Sequence, residues 1–260
     1  SKKPSTVAAF RSACDKSGGD FIPVILKDHD AIISYFNYEL PEIKILDFGD
    51  GDTAAEKIMD VIHADPWLLF GGIIAIVQDN KQKIEMEKQR DPNILLILRR
   101  PDFEANTDRI LRILTQNKQF LFNRGMQQQM NTNETGSFVS DNDPMDILFY
   151  CNLITSYLYN TNRINDEGRA GIQGALMELL LNAVEHGNCK ISYDEKTEWL
   201  SAGKNMLDLI AQKCRDPAAL NKKVYISYDI SNLRTRISVR DDGDGFDWRS
   251  RIRKKLTPGL

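Results

Sequence analysis

Glu178-Leu179-Leu180-Leu181-Asn182-Ala183-Val184-Glu185-His186-Gly187-Asn188 decides how the second half of this chain is read. It closes a stretch, Glu167 to His186, whose spacing predicts a helix. Ile172, Ala175, Leu176, Leu179 and Ala183 recur at helical intervals and form an apolar stripe. Glu178, Asn182 and Glu185 form a neighbouring stripe, and Leu180 and Leu181 leave little of the helix reading as solvated surface. A carboxylate and an amide one turn apart on a largely buried helix require partners, because uncompensated burial is costly. The plainer reading is a half-exposed helix with ordinary surface Glu and Asn.

Downstream stands Arg240-Asp241-Asp242-Gly243-Asp244-Gly245-Phe246-Asp247-Trp248. In the strand before it, Leu233, Thr235, Ile237 and Val239 alternate with Arg234, Arg236, Ser238 and Arg240, so the alternation carries Asp241 onto the apolar face. A carboxylate at the buried end of a strand, followed by two glycines, suits a ligand that donates hydrogen bonds and lies close to backbone. A calcium loop is a poor fit, since Gly243 occupies an intended acidic position. A plain glycine turn is the other alternative.

Together the two motifs resemble the GHKL, or Bergerat-fold, ATPases, the superfamily of gyrase and the histidine kinases. Within it the likeness is to the anti-sigma-factor serine kinase type, whose N-box reads E-x-x-x-N…HG and whose glycine box reads D-x-G-x-G-F-D. Cys189 to Trp199 resembles the segment that follows the N-box in a bacterial branch of these proteins. The likeness covers about residues 136 to 260. It implies an α+β sandwich, a mixed sheet with helices on one face. It implies ATP and Mg²⁺ as cofactors: Asn182 would bind the Mg²⁺ that bridges the phosphates, and Glu178 would be the catalytic general base. Asp241 would accept a hydrogen bond from the adenine amino group, and Gly243 and Gly245 would let backbone approach the nucleotide. Phosphoryl transfer asks mainly for positioning and charge neutralisation, so this set is chemically adequate. His186 ends the N-box and reads as structural. The family's lid and second glycine box, a G-x-G segment, follow the first; this sequence reaches Leu260 without them, which implies a site cut before its lid. The basic run Arg249, Arg251, Arg253, Lys254 and Lys255 reads as a solvated lid root.

The first half alternates apolar runs with helical patterns. Phe21 to Leu26, Ile43 to Leu46, Gly72 to Val77 and Ile94 to Leu98 are short, rich in branched aliphatics and bounded by Asp, Gly or Pro, as buried parallel strands are. Helices are expected over Asp52 to Ala64, with Ala55, Ile58, Met59 and Ile62 on one face, and over Glu104 to Asn117, with Ile110, Leu111 and Leu114. The alternation predicts an α/β unit with a parallel sheet covered on both faces. It resembles, more distantly, a flavodoxin-like response-regulator receiver. In that likeness Asp47 stands at the phosphoacceptor position and Arg99-Arg100-Pro101 where receivers have Lys-Pro. Gln78 replaces the Thr or Ser switch residue, and no strand precedes the helix at Thr6 to Lys16, where an acidic pair should follow it. Asp28 and Asp30 supply some acidity. A degenerate, receiver-like interaction domain is the better expectation.

Polar Gln127 to Gly136 reads as a linker, giving two domains, 1–125 and 126–260. A second helix over Asp146 to Tyr159, a charged helical stretch from Glu198 to Lys213 and paired strands at Lys223 to Ser231 and Leu233 to Asp241 complete the second domain.

Composition narrows the function. No apolar run approaches the roughly 18 residues of a membrane span, and Ser1-Lys2-Lys3-Pro4-Ser5 lacks a signal-peptide core. A net charge of −3 offers no basic field for nucleic acid. The four cysteines lack CxxC spacing, and the three histidines are scattered, which argues against zinc and for a reducing cytoplasm. The expectation is a cytoplasmic bacterial regulator that phosphorylates serine or threonine on a protein partner, a sigma factor or an anti-sigma antagonist. A non-catalytic module that sequesters such a partner is the alternative, and a homodimer is possible on either reading.

Overall fold

The computed structural model describes residues 3–49, 54–118, 134–231 and 233–245. The described residues form a mixed α/β structure with two three-stranded sheets, one parallel and one antiparallel. Helices α1 (Pro4–Lys16) and α2 (His29–Glu39) precede β1 (Ile43–Asp47), α3 (Ala54–Ala64), β2 (Gly72–Val77), α4 (Asn80–Lys88), β3 (Ile94–Arg99) and α5 (Arg100–Gln116). The strands run parallel in the order β1-β2-β3, and β2 is buried along its whole length. Alternate residues face opposite layers. Leu46, Ile73, Ala75 and Val77 meet Phe36 of α2, Ile58, Met59 and Ile62 of α3 and Met86 of α4. Ile74, Ile76 and Leu98 meet Phe103, Ile110 and Leu114 of α5. The expected stripes of α3 and α5 are both buried.

The expected strand at Phe21 to Leu26 does not form. The segment runs past β1 unpaired, with Ile22 87% exposed. Pro23 lacks the N–H that a strand ladder needs. A cavity of about 220 Å³ lies between this segment and β1, lined by Ile22, Val24, Ile43, Ile45, Phe36 and Phe103 among others.

In the second half, β4 (Glu134–Ser140), β5 (Val224–Ile230) and β6 (Thr235–Asp241) form an antiparallel sheet, where a mixed one was expected. One face is apolar and covered by α6 (Pro144–Asn160) and by α7 (Asp166–Asn182), with Phe138, Ile226 and Ile230 turned inward; Ser137, Ser227 and Ser238 face out. The linker reading overshot, because Glu134 to Gly136 belong to β4; residues 127–133 lie outside the described residues. Polar composition hid a strand whose buried inward positions are Glu134, Phe138 and Ser140. Glu134 is buried and is held by the Tyr157 hydroxyl and, at 3.4 Å, by Arg163. Gly136 is required because a Cβ there would lie 2.2 Å from the Tyr228 hydroxyl. The charged stretch before β5 is three helices, α8 (Tyr193–Ser201), α9 (Met206–Lys213) and α10 (Pro217–Leu220). Left-handed Gly203 separates the first two (φ 70°).

The two halves share one apolar cluster, in which Leu95, Leu98 and Phe103 join Phe149, Leu153 and Leu158 of α6. A charged seam accompanies it. Asp146, fully buried, accepts from Arg109 at 2.6 Å and from Arg112 at 2.8 Å, and Arg109 also reaches Asp143 at 2.5 Å. Burial pushes the Asp146 carboxyl up despite both guanidinium groups. Burial also opposes ionisation of Asp141, yet Lys223 and Arg112 beside it hold its carboxyl below the usual range. No described helix is long and apolar enough to cross a membrane.

Candidate functional site

Helix α7 starts on Asn165, whose side chain accepts from the Gly168 N–H at 2.8 Å. It ends by widening into a π-helical turn, Ala183–Asn188. The Cys189 N–H bonds the Val184 carbonyl at 2.8 Å, the Ile191 N–H bonds the Glu185 carbonyl at 2.8 Å, and the Ile191 carbonyl meets His186 Nδ1 at 2.7 Å. Such wide turns are uncommon and recur at functional sites. His186 thus secures the turn, as expected of a structural residue.

The helix is less buried than its sequence predicts. Only Leu176 and Leu180 are fully buried within α7, while Glu178 and Leu179 are exposed. The polar stripe splits accordingly. Glu178 and Asn182 meet each other, with Asn182 Nδ2 donating to Glu178 Oε1 at 3.2 Å. Glu185 is buried and paired with Lys196 Nζ of α8 at 2.5 Å. The plainer reading therefore describes the surroundings of Glu178.

At the end of the turn the two motifs meet. A Cβ on Gly187 would lie 2.4 Å from Asp241 Cγ, and one on Gly243 would lie 2.4 Å from the Gly187 carbonyl oxygen. At Gly243 the obstacle is backbone held in the π-helical turn, whereas a side chain at Gly187 would displace the Asp241 carboxylate, whose Oδ1 accepts from the Gly243 N–H at 2.8 Å. Asp241 is half-buried beside Ile237 and Val239, on the face that its strand alternation predicts. Among the described residues, only the Gly243 N–H is bonded to its carboxylate, so Oδ2 keeps its accepting capacity. Gly245 is exposed and left-handed (φ 73°), with nothing within 4 Å of a notional Cβ, so its requirement is conformational. Asp244 is tied to Lys190 at 2.6 Å, a bond that lowers its pKa. Phe246 onward, with the basic run, lies outside the described residues.

A buried amide network that sequence reading missed holds this junction. Asn188 Oδ1 accepts from the Asp242 N–H at 2.9 Å, and its Nδ2 donates to Asn142 Oδ1 at 2.7 Å and to the Lys223 carbonyl at 3.0 Å. Asn142 in turn donates to the Ala219 carbonyl at 2.9 Å and the Lys222 carbonyl at 3.0 Å. Asp242 Oδ2 accepts from the Lys223 N–H at 3.0 Å. Asn188 and Asn142 are 2% and 5% exposed, so losing one amide leaves a buried partner unsatisfied. The only sequence signal was the Asn that ends the His186-Gly187-Asn188 run; Asn142 carries none.

The Asp47 carboxylate is 2% exposed at the end of β1, where Arg100 Nη2 donates to both its oxygens at 2.8 and 3.0 Å. Its Oδ1 also accepts from the Gly49 N–H at 3.0 Å. Arg100 thus reaches Asp47, whereas Arg99 pairs with Asp102 at 2.7 Å. No group of three or more His, Cys, Asp or Glu able to hold a metal occurs among the described residues. The acceptors that the resemblance assigns to a nucleotide with Mg²⁺ are open. Asn182 Oδ1 accepts no bond from a described residue, and Asp241 Oδ2 is an open acceptor.

No protein-family model, no curated protein and no solved structure matches the chain.

Proposed function

We propose that the chain binds ATP with Mg²⁺ at the junction of α7 and β6 and transfers phosphate to serine or threonine of a protein partner. The observation that carries this reading is the meeting of Gly187, Asp241 and Gly243. Two distant motifs converge on one strand-end carboxylate, which retains an acceptor oxygen for an adenine amino group. Asn182 would hold Mg²⁺ through its amide oxygen, and Glu178, one turn back and hydrogen-bonded to it, would orient the attacking hydroxyl. Mg²⁺, when bound, would offset phosphate charge. The exposure of Glu178 suits a base that must meet a hydroxyl on another protein. We further propose that the first half is a receiver-like input unit in a bacterial partner-switching pathway, acting on a sigma factor or an anti-sigma antagonist.

The test uses the full chain, Mg²⁺ and γ-labelled ATP with candidate partner proteins. Acid-stable label on partner serine or threonine, lost in Glu178→Ala with ATP affinity retained, supports the kinase reading. Tight ATP binding without transfer, unaffected by Glu178→Ala, leaves a partner-sequestering module instead. Label that is acid-labile would overturn both.

A further inference from the structure

Cys189 and Cys214 are far apart in sequence, yet their Sγ atoms lie 3.1 Å from each other. Cys189 caps the π-helical turn, immediately after the Asn188 that clamps β6. Cys214 caps α9, with its Sγ also 3.3 Å from the Asn142 carbonyl. The other two cysteines, Cys14 and Cys151, are buried in other helices, whereas Cys214 is partly open to solvent. We propose that Cys189 and Cys214 are a reversible oxidation site, closing to a disulfide that ties the end of the N-box turn to α9. The sulfurs are already in contact, and a bond of about 2.05 Å asks them to close by only about 1 Å.

The roles of the two thiols follow from their surroundings. The hydrogen bond between the two sulfurs holds the Cys214 thiol below its usual range. That same bond, with burial, pushes Cys189 up. Cys214, more acidic and more accessible, meets the oxidant, and Cys189 resolves it. With hydrogen peroxide, the Cys214 thiolate attacks one peroxide oxygen. An S–O bond forms, the O–O bond breaks, and the departing hydroxide takes the proton that Cys214 released, giving water. Cys189 Sγ then attacks the Cys214 sulfenic sulfur; the S–S bond forms and the S–O bond breaks. The displaced hydroxide takes the Cys189 proton and leaves as the second water. The two sulfurs lose two electrons, and the two peroxide oxygens gain them. A thiol reductant reverses the step by exchange. Transient disulfides of this kind serve redox sensing in otherwise reducing compartments.

The experiment treats the full chain with hydrogen peroxide, blocks remaining thiols with N-ethylmaleimide and maps the peptides. The expected result is a fall from four alkylatable thiols to two, a mass lower by two hydrogens, a linked peptide pair carrying Cys189 and Cys214, and full recovery with dithiothreitol. Cys214→Ser should leave Cys189 alkylatable, and Cys189→Ser should leave Cys214 as a trapped sulfenic acid. Four alkylatable thiols after peroxide, a linkage through Cys14 or Cys151, or over-oxidation of Cys214 without linkage in the unaltered protein would each overturn the proposal. The mapping needs no variant, so a misfolded substitution does not blunt it.

Discussion

Two strands of this protein end on an aspartate, and their fates differ. Asp47, at the end of β1, is sealed from solvent and gripped by Arg100. Asp241, at the end of β6, is half-buried against two glycines and has an oxygen to spare. The first is neutralised by the protein itself, which is how buried charge persists in a core. The second keeps an acceptor oxygen, which the proposed nucleotide would use. A strand-end carboxylate becomes a binding group only where the neighbouring elements leave it unpaired, and at β6 they do so by presenting backbone instead of a guanidinium.

The largest effect expected from this contrast is at Asp47. Replacing it with Ala removes the carboxylate that Arg100 meets at 2.8 and 3.0 Å, and removing one member of a buried pair costs about 3–5 kcal/mol. Urea unfolding of Asp47→Ala should show that loss, and a change under about 1 kcal/mol would mean that the pair contributes no more than a surface ion pair. Next comes the amide clamp. Asn188→Ala leaves Asn142 and the Asp242 N–H without their partner, a loss of about 1–3 kcal/mol. Because Asn188 positions β6, its ATP affinity should fall as well; an unchanged unfolding midpoint would show that the network does not hold the junction.

A pH-dependent effect is expected at Lys44 on β1. Burial lowers its pKa to about 8, although its ammonium donates to the Phe70 carbonyl at 2.5 Å. Its folded pKa thus lies below the unfolded value of about 10.4, and between these pH values the unfolded chain holds the extra proton. The cost of burying the charge is fully present below pH 8 and is relieved as the pH rises through that window. Unfolding midpoints of the protein relative to Lys44→Met should therefore improve between about pH 8 and pH 10. A constant difference would place the Lys44 pKa near its ordinary value.

The regular parts of the fold were legible because burial imposes period. The aliphatic runs of β2 and β3, the stripes of α3 and α5 and the alternation of β5 stand where their patterns predict, whereas β6 starts at Thr235 and Leu233, expected on its apolar face, is 97% exposed. The failures share a physical cause, which is that pairing depends on distant residues. Phe21 to Leu26 has strand composition but no partner, and Glu134 to Ser140 has loop composition but a partner in β5. Within the site, Asp241 could be placed on its strand face from alternation alone. The clash geometry of Gly187 and the Asn188–Asn142 clamp could not, since both depend on a contact between the π-helical turn and the end of β6.

The central claim, that Asp241 is kept free for a nucleotide, is tested most directly by calorimetric titration of Mg·ATP into the protein and into Asp241→Asn. The substituted amide can still accept from the Gly243 N–H, so the unfolding midpoint should hold. Its NH₂ group would oppose an adenine amino group, so affinity should fall at least about tenfold, or 1.4 kcal/mol. Equal affinity in the two proteins, or no saturable binding of Mg·ATP by the unaltered one, would contradict the account.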